Sequence, residues 1–516
     1  MKRCPQCNRV EADDALAFCR VDGFRLITNS SASESASTIL LSPPQRSGES
    51  PTLVLESKPS IAVLAFANLS VDPQNEYFCD GLAEEILNSL ARIDDLKVAA
   101  RTSSFSFKGK DVSVDHIGQS LRVNKILEGS VQRAGNRIRI TVQLINAVDG
   151  YHIWSERYDR ELKDIFEVQD EITLAIVKAL KLKLLGDEQV SLLKRGTDNH
   201  ESFEAYLRGR FYWNKRTGAA VEKAVELFQQ AVSLDQNFAL AFVGLADSHA
   251  FLGVYAGRRT SETIPPARAA VERALQLEPN LAEAHASLGH IYYRTLEWEK
   301  CEQEYQRAIS LNSNYATVHQ WYSEYFRVHQ RPTDEFREIK LAQELDPLSP
   351  MICSLVGEAH CNLGDLDAAF AEWQRVIELD PNFALTYFLQ GGAYLQLGSY
   401  DEAVASFETA VALSGRGSIT LGGLGSGYAM AGKTSEALAV LAELEERHAS
   451  GSASAFSLAQ VLVGLKDYER SIDWLEKDFE VGNTTLLVYG VHRNLYHELK
   501  TKPRYQELLR RMRMPL

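Results

Sequence analysis

Three of the chain's seven cysteines fall within its first 19 residues, and Asp22 follows three positions after the last of them. Cys4 and Cys7 are separated by two residues, the gap at which one tight turn presents two thiolates to the same ion. Cys19 and Asp22 repeat that gap, so four donors are at hand for a tetrahedral Zn²⁺. A carboxylate is a harder donor than a thiolate, and nothing marks an open coordination position. The chemistry expected is therefore structural zinc, and no other cofactor is expected. A second string, Gly427 to Thr434, fits the phosphate-cradling pattern GxxxxGK[ST]. That pattern needs a buried strand before it and a helix starting at the lysine. Here Gly432 instead shares a 34-residue register with Gly364 and Gly398, which predicts a turn between two helices. Cys301, Cys353 and Cys361 lie within helical periodicity and are expected to be small buried hydrophobes. No HRD, DFG or VAIK-like string is present. With no nucleophile–base arrangement either, the expectation is a chain that is not an enzyme.

These residues need elements to position them. A length of 516 residues exceeds one hydrophobic core. With 45% apolar and 24% charged residues, the chain can fill several cores, which excludes global disorder. The formal charge is −14. It divides as zero over residues 1–58, −4 over 59–190 and −10 over the remainder, so the C-terminal part is the acidic one. Nucleic acid is accordingly not expected as a partner. The first residues lack a secretory h-region, and no run of 18 apolar residues suggests a membrane span. Cysteine usage fits a reducing compartment, and a cytoplasmic location is expected.

Composition and periodicity divide the chain into a head (1–27), a Ser-rich flexible linker (28–58), an α/β domain with an exit helix (59–190), a helical array (198–485) and a polar closing helix (486–516). In the α/β part, SIAVLAF from Ser60 to Phe66 reads as a buried strand. Asp80 is expected to cap a helix carrying Leu82, Ile86, Leu87 and Leu90 on one face, with Glu84 and Glu85 near its positive end. Leu96 to Ala99 reads as a strand and Val114 to Leu121 as a helix. Three strands follow, joined by turns at Ala134–Asn136 and Val148–Gly150. Val168 to Leu185 is expected to form a helix that leaves the domain.

Two resemblances attach to these segments. The head, with its CPxC and FCxxDG knuckles, resembles a zinc ribbon in which Asp22 stands in the fourth ligand place. The segment from Ser60 to Ile172 resembles the TolB-like (FlgO-like) amino-terminal domain. The matching phrases are FANLSVDPQNEYFCDGLAEEI, ARTSSFSFKGK, ILEGSVQRAGNRIRITVQLI and GYHIWSERYDRELKDIFEVQDEI. That resemblance implies bacterial signalling architecture, since such domains neighbour tetratricopeptide repeats and cyclase, kinase or DNA-binding modules.

The remainder follows one period. Leu277, Leu311, Leu345, Leu379 and Leu413 are each 34 residues apart. Gly289, Gly357, Gly391 and Gly425 keep the same step, as do the bulky Tyr305, Trp373 and Phe407. This register resembles tetratricopeptide repeats, and about eight units are expected, each a helix pair in which small residues admit a neighbour's bulky ones. Nine extra residues between Leu234 and Leu277 are expected as a loop in GVYAGRRTSETIPPAR. Stability is expected to add up nearly unit by unit. The fold class expected is multidomain α+β, with a zinc-ribbon-like head, an α/β TolB-like domain and an all-α tetratricopeptide solenoid.

The family resemblance implies a concave face lined by the first helix of each pair. There it places His290, Tyr293, Arg294, Gln320, Glu324, Arg327, Glu358 and Asn362 as a peptide groove. Arg294 and Arg327 would present two guanidinium forks to an extended acidic segment, or else pair with nearby glutamates. The function expected is a cytoplasmic scaffold or adaptor binding protein partners. The alternative is a regulator that senses a small ligand through the TolB-like domain.

Overall fold

A computed structural model of the chain describes residues 2–3, 10–11, 27–28, 58–161, 164–182, 196–482, 484 and 494–515. Residues 1–56 form one compact unit and 57–516 another. In the first, strands β1 (Lys2–Arg3), β2 (Val10–Glu11) and β3 (Ile27–Thr28) pair antiparallel in the order β2-β1-β3. Cys4, Cys7, Cys19 and Asp22 lie outside the described residues.

The second unit opens on an α/β sheet. Strand β4 (Ser60–Val63) is buried along its whole length, as a strand covered on both faces must be. It runs parallel to β6 (Lys97–Val98) and β7 (Lys125–Ala134). From β7 the sheet continues antiparallel through β8 (Arg137–Asn146) to β9 (His152–Glu161), while short β5 (Ala67–Asn68) also pairs β7. In β8, Ile138, Ile140, Val142 and Leu144 are buried and Arg137 and Arg139 exposed, the alternation expected of a strand with one solvated face. The two hairpin turns occur where expected, with Gly135 and Gly150 at φ +59° and +71°.

Helix α1 (Glu76–Ala91) starts four residues before Asp80, so Asp80 is no cap. The side chain that caps is Asp72, on the 3-10 turn Pro73–Asn75 leading into α1. Asp80 lies buried inside α1 and binds Lys108 at 2.5 Å. Helices α2 (Arg101–Phe105) and α3 (Val114–Leu121) follow. Helix α4 (Ile165–Ala179) does not leave the domain: Ile165, Val168, Ile172 and Ile176 are fully buried, and the helix packs on α1 and β9.

From His200 to Glu480 the described chain forms eight helix pairs. Each of the 34-spaced leucines is the last residue of a second helix, as in Thr260–Leu277, Trp298–Leu311 and Leu366–Leu379. The glycine column is explained by contact. A Cβ on Gly357 would stand 2.3 Å from the Trp373 indole nitrogen, one on Gly289 would meet Tyr305 at 2.6 Å, and one on Gly391 would meet Phe407 at 2.7 Å. Small and bulky columns are therefore the two halves of one packing motif. The nine extra residues of the second pair do not form the expected loop. They lengthen its helices to Ala239–Tyr255 and Thr260–Leu277, with Pro265 and Pro266 inside the latter. The two prolines are the sixth and seventh residues of that helix, beyond the first turn whose amides lack intrahelical partners, so each forgoes one backbone hydrogen bond.

The tail departs from the expected polar closing helix. A 3-10 helix (Asn494–Thr501) is followed by helix Pro503–Arg511, which buries Tyr505, Leu508 and Leu509. The Met512 carbonyl accepts a hydrogen bond from Trp298 Nε1 of the third pair at 2.9 Å. One hydrophobic core holds Trp298, Ile472, Leu475, Tyr505 and Met512 together, so the tail joins the third pair to the eighth.

Candidate partner-binding surface

The third pair (Ala282–Arg294, Trp298–Leu311), fourth (Ala316–Val328, Pro332–Leu345) and fifth (Pro350–Asn362, Leu366–Leu379) carry the eight expected groove residues on their first helices. The structure brings most of them together, but inside the protein. His290, Tyr293 and Arg294 are no more than 1% exposed, and Glu324 and Glu358 are also buried. His290 stacks on Phe251, at 4.8 Å and 5°, and packs tilted against Trp321, at 4.6 Å and 32°. Burial, with Arg294 beside it, holds the imidazole well below its ordinary pKa, so it is neutral. Arg294 Nη1 donates to the Ala250 carbonyl at 3.1 Å, and the Arg294 carbonyl accepts from Thr484 Oγ1 at 2.6 Å. Arg327 pairs with Glu358 at 3.8 Å. Gln320, half-buried, donates to Glu324 at 3.3 Å, and exposed Asn362 donates to Glu335 at 3.0 Å. Burial pushes the Glu335 carboxyl up to about 8, with Glu358 adding to the shift and Arg327 opposing it. The two arginines are thus internal cations, not open forks. The reason is their register: Arg294 and Arg327 fall beside the aromatic columns, and charges buried there survive only with partners.

A second surface escaped the sequence reading altogether. Helix α1 of the α/β part packs on the first solenoid helix, His200–Trp213. Glu84 is its hub: Arg101 Nε donates to Oε2 at 2.7 Å and Arg210 Nε to Oε1 at 2.9 Å. Burial alone would raise the Glu84 carboxyl, but Arg210 and Arg101 outweigh it and hold it below its ordinary value. Glu85 accepts from Tyr206 at 3.2 Å. Burial, reinforced by Glu84, pushes Glu85 up to about 7. Further along, Asn314 donates to the Ala91 and Leu96 carbonyls at 3.1 and 3.0 Å. Asp346 accepts from both the amide and the hydroxyl of Ser103. The docked face thus reaches from the first helix pair to the loop before Ser349. The adjacent carboxylates Glu84 and Glu85, four and five positions after Asp80 in DGLAEEIL, were the available signal. Placed near a helix start, they read as dipole partners.

Family models now decide what the array is. The family described as "TPR repeat" matches residues 357–398, and two described as "Tetratricopeptide repeat" match 384–415 and 423–477. The solenoid is built of tetratricopeptide repeats. Among solved structures, the chain is similar to yeast Tom70, at 13% identity and TM-score 0.39 over 68% of this chain and 82% of that one. It is also similar to Pseudomonas aeruginosa PilF, at 17% identity and TM-score 0.33 over 41% and 92%. A curated relative from Rhizobium meliloti (strain 1021), named "Putative adenylate cyclase 3", is 40% identical over 211 residues. The match takes in 40% of this chain and 36% of the relative. That relative overturns the expectation of a chain that is not an enzyme. Among the described residues, no helix is long and apolar enough to cross a membrane, and no cluster of three or more His, Cys, Asp or Glu could hold a metal ion. The phosphate-cradle string lies in the seventh repeat. Gly427 belongs to helix Ser418–Met430, Gly432 turns at φ +77°, and Lys433 reaches Asp401 at 3.6 Å.

Proposed function

We propose that this chain is a cytoplasmic protein-interaction scaffold in bacterial signalling, in which the tetratricopeptide superhelix holds protein partners and a TolB-like α/β domain is fixed to its first repeats. The observation that carries the reading is the run of eight helix pairs with the α/β sheet docked on it through Glu84 and Arg210. A rigid array presents several surfaces in fixed relation, which suits assembly of other chains. Affinity capture with the full chain, followed by crosslink mapping, tests it. Partner crosslinks within residues 200–480 support the reading; their absence there refutes it. The head enters the same proposal as a small zinc ribbon. Three thiolates and a carboxylate are a donor set that suits Zn²⁺, and metal analysis of protein purified without chelator, with Cys4→Ser beside it, tests that assignment.

A second reading rests on the Rhizobium relative, whose name is that of an adenylate cyclase. On this reading the chain contributes to cyclic-nucleotide production. Incubating the purified full chain with ATP and a divalent cation, and assaying cyclic AMP, decides it.

A further inference from the structure

A cavity of about 400 Å³ lies against the first helices of the fifth to eighth repeats. That is within the range of roughly 300–1,000 Å³ typical of small-ligand pockets. Its deep wall is apolar and aromatic: Trp373, Phe388, Phe407 and Val463 are all buried. Its rim is polar, with Asn362, Gln396, Lys466 and Glu498 exposed. The Trp373 indole N–H is already spent on the Ser354 carbonyl at 3.0 Å.

Two further observations mark the cavity as a site. Gly391 and Gly392 sit side by side in helix Ala384–Leu397. Gly391 is required by packing, because a Cβ there would meet Phe407 at 2.7 Å. Gly392 has no such reason: a Cβ on it would meet nothing within 4 Å, yet the residue lines the cavity. Glycine in mid-helix is less stable than alanine, so this helix gives up stability at the position where a side chain would occupy the space. The second observation is Gln460, which lines the same cavity at 2% exposure and whose side-chain oxygen has no hydrogen-bond partner. A buried amide with an unsatisfied oxygen is costly, and a ligand group donating a hydrogen bond to that oxygen would relieve the cost.

The geometry points to a binding site for a small, uncharged, largely aromatic molecule carrying one hydroxyl or N–H group that donates to the Gln460 side-chain oxygen. An anion is disfavoured because Glu358 lines the cavity and Arg327 is already committed to it at 3.8 Å. An extended peptide is disfavoured because the 3-10 helix Asn494–Thr501 lies across helices Ala384–Leu397 and Ala455–Gly464 and places Glu498 at the mouth. This site is separate from the protein-scaffold reading and survives its failure.

The test uses the full chain and 2-naphthol as the probe, with 2-methylnaphthalene and 2-naphthoate for comparison, read by saturation-transfer NMR and titration calorimetry. Wild type binds 2-naphthol saturably at one site and 2-naphthoate at least tenfold more weakly. Gly392→Leu fills the space, abolishes binding and raises the melting temperature. Gln460→Leu weakens 2-naphthol at least tenfold and leaves 2-methylnaphthalene unchanged, which keeps the proposal testable should the glycine variant misfold. Absence of saturable 2-naphthol binding by wild type overturns the proposal. So does undiminished binding by folded Gly392→Leu, or equal loss of both probes in Gln460→Leu.

Discussion

Glu84 and Glu85 are neighbours in one helix with opposite electrostatic fates. Glu84 has two guanidinium partners and stays ionised; removing it leaves the half-buried Arg101 and Arg210 without their shared carboxylate. Stranding a fully buried charge costs about 3–5 kcal/mol; water reaches both arginines, so Glu84→Ala should lower stability by less, about 1–3 kcal/mol, in urea denaturation of the full chain. Glu85 has no such pair, and its carboxyl is raised from 4.5 to about 7. A raised carboxyl means the folded state holds its proton after the unfolded chain has lost it. Its stability contribution is therefore present below about pH 4.5 and is lost as pH rises through about 7. The shift corresponds to on the order of 3 kcal/mol. Glu85→Gln should flatten this part of the pH profile and stabilise the protein at pH 8 by a similar amount. An unchanged profile would show that Glu85 does not titrate in this window. The sequence placed both residues on a helix; that one would be paired and the other not depended on Arg210, 126 residues from Glu84.

Helices of the array are matched by size across each pair, and the match was legible as columns with a 34-residue step. Gly357 and Trp373 are the tightest instance. Gly357→Ala should force the indole aside and cost about 1–3 kcal/mol, as overpacking does, whereas Gly392→Ala meets open space and should stabilise. Thermal unfolding of the two variants side by side distinguishes them, and equal effects would refute the packing account. The tail helix is the element least legible from sequence. RYQELLRRMRM is rich in charge, yet Tyr505, Leu508 and Leu509 form a buried stripe at helical spacing. Removing residues 503–516 should expose Trp298, whose indole donates to Met512. A red shift in tryptophan emission would report it, while unchanged emission would show that the tail does not shield this ring.

Across the whole molecule, one core runs from the α/β sheet through the first repeats to the last repeat and the tail, while a second core lies in the fifth to eighth repeats. A chain cut between residues 182 and 196 should therefore yield a solenoid fragment that exposes Leu207 and Tyr206, is less stable than the intact chain and regains stability when the α/β fragment is added. Equal stability of the isolated solenoid, measured by denaturation, would show that the units behave independently, as the repeat pattern alone suggests. The sequence by itself determined the repeat, its period, the turns at Gly364, Gly398 and Gly432, and the order of strands from β7 to β9, because each depends on residues within one or two helices or hairpins of each other. Helix starts at Glu76 and Ile165 and the long second-repeat helices were decided by tertiary packing, which outweighs capping signals worth about 1 kcal/mol and proline signals worth about 3 kcal/mol. The fate of Arg294 and Arg327 was decided in the same way. Their spacing put them on first helices, but only the curvature of the array, with Thr484 and Met512 returning to the third repeat, turned the expected open groove into an interior. Curvature sums small rotations over many repeats, and no single stretch of residues encodes that sum.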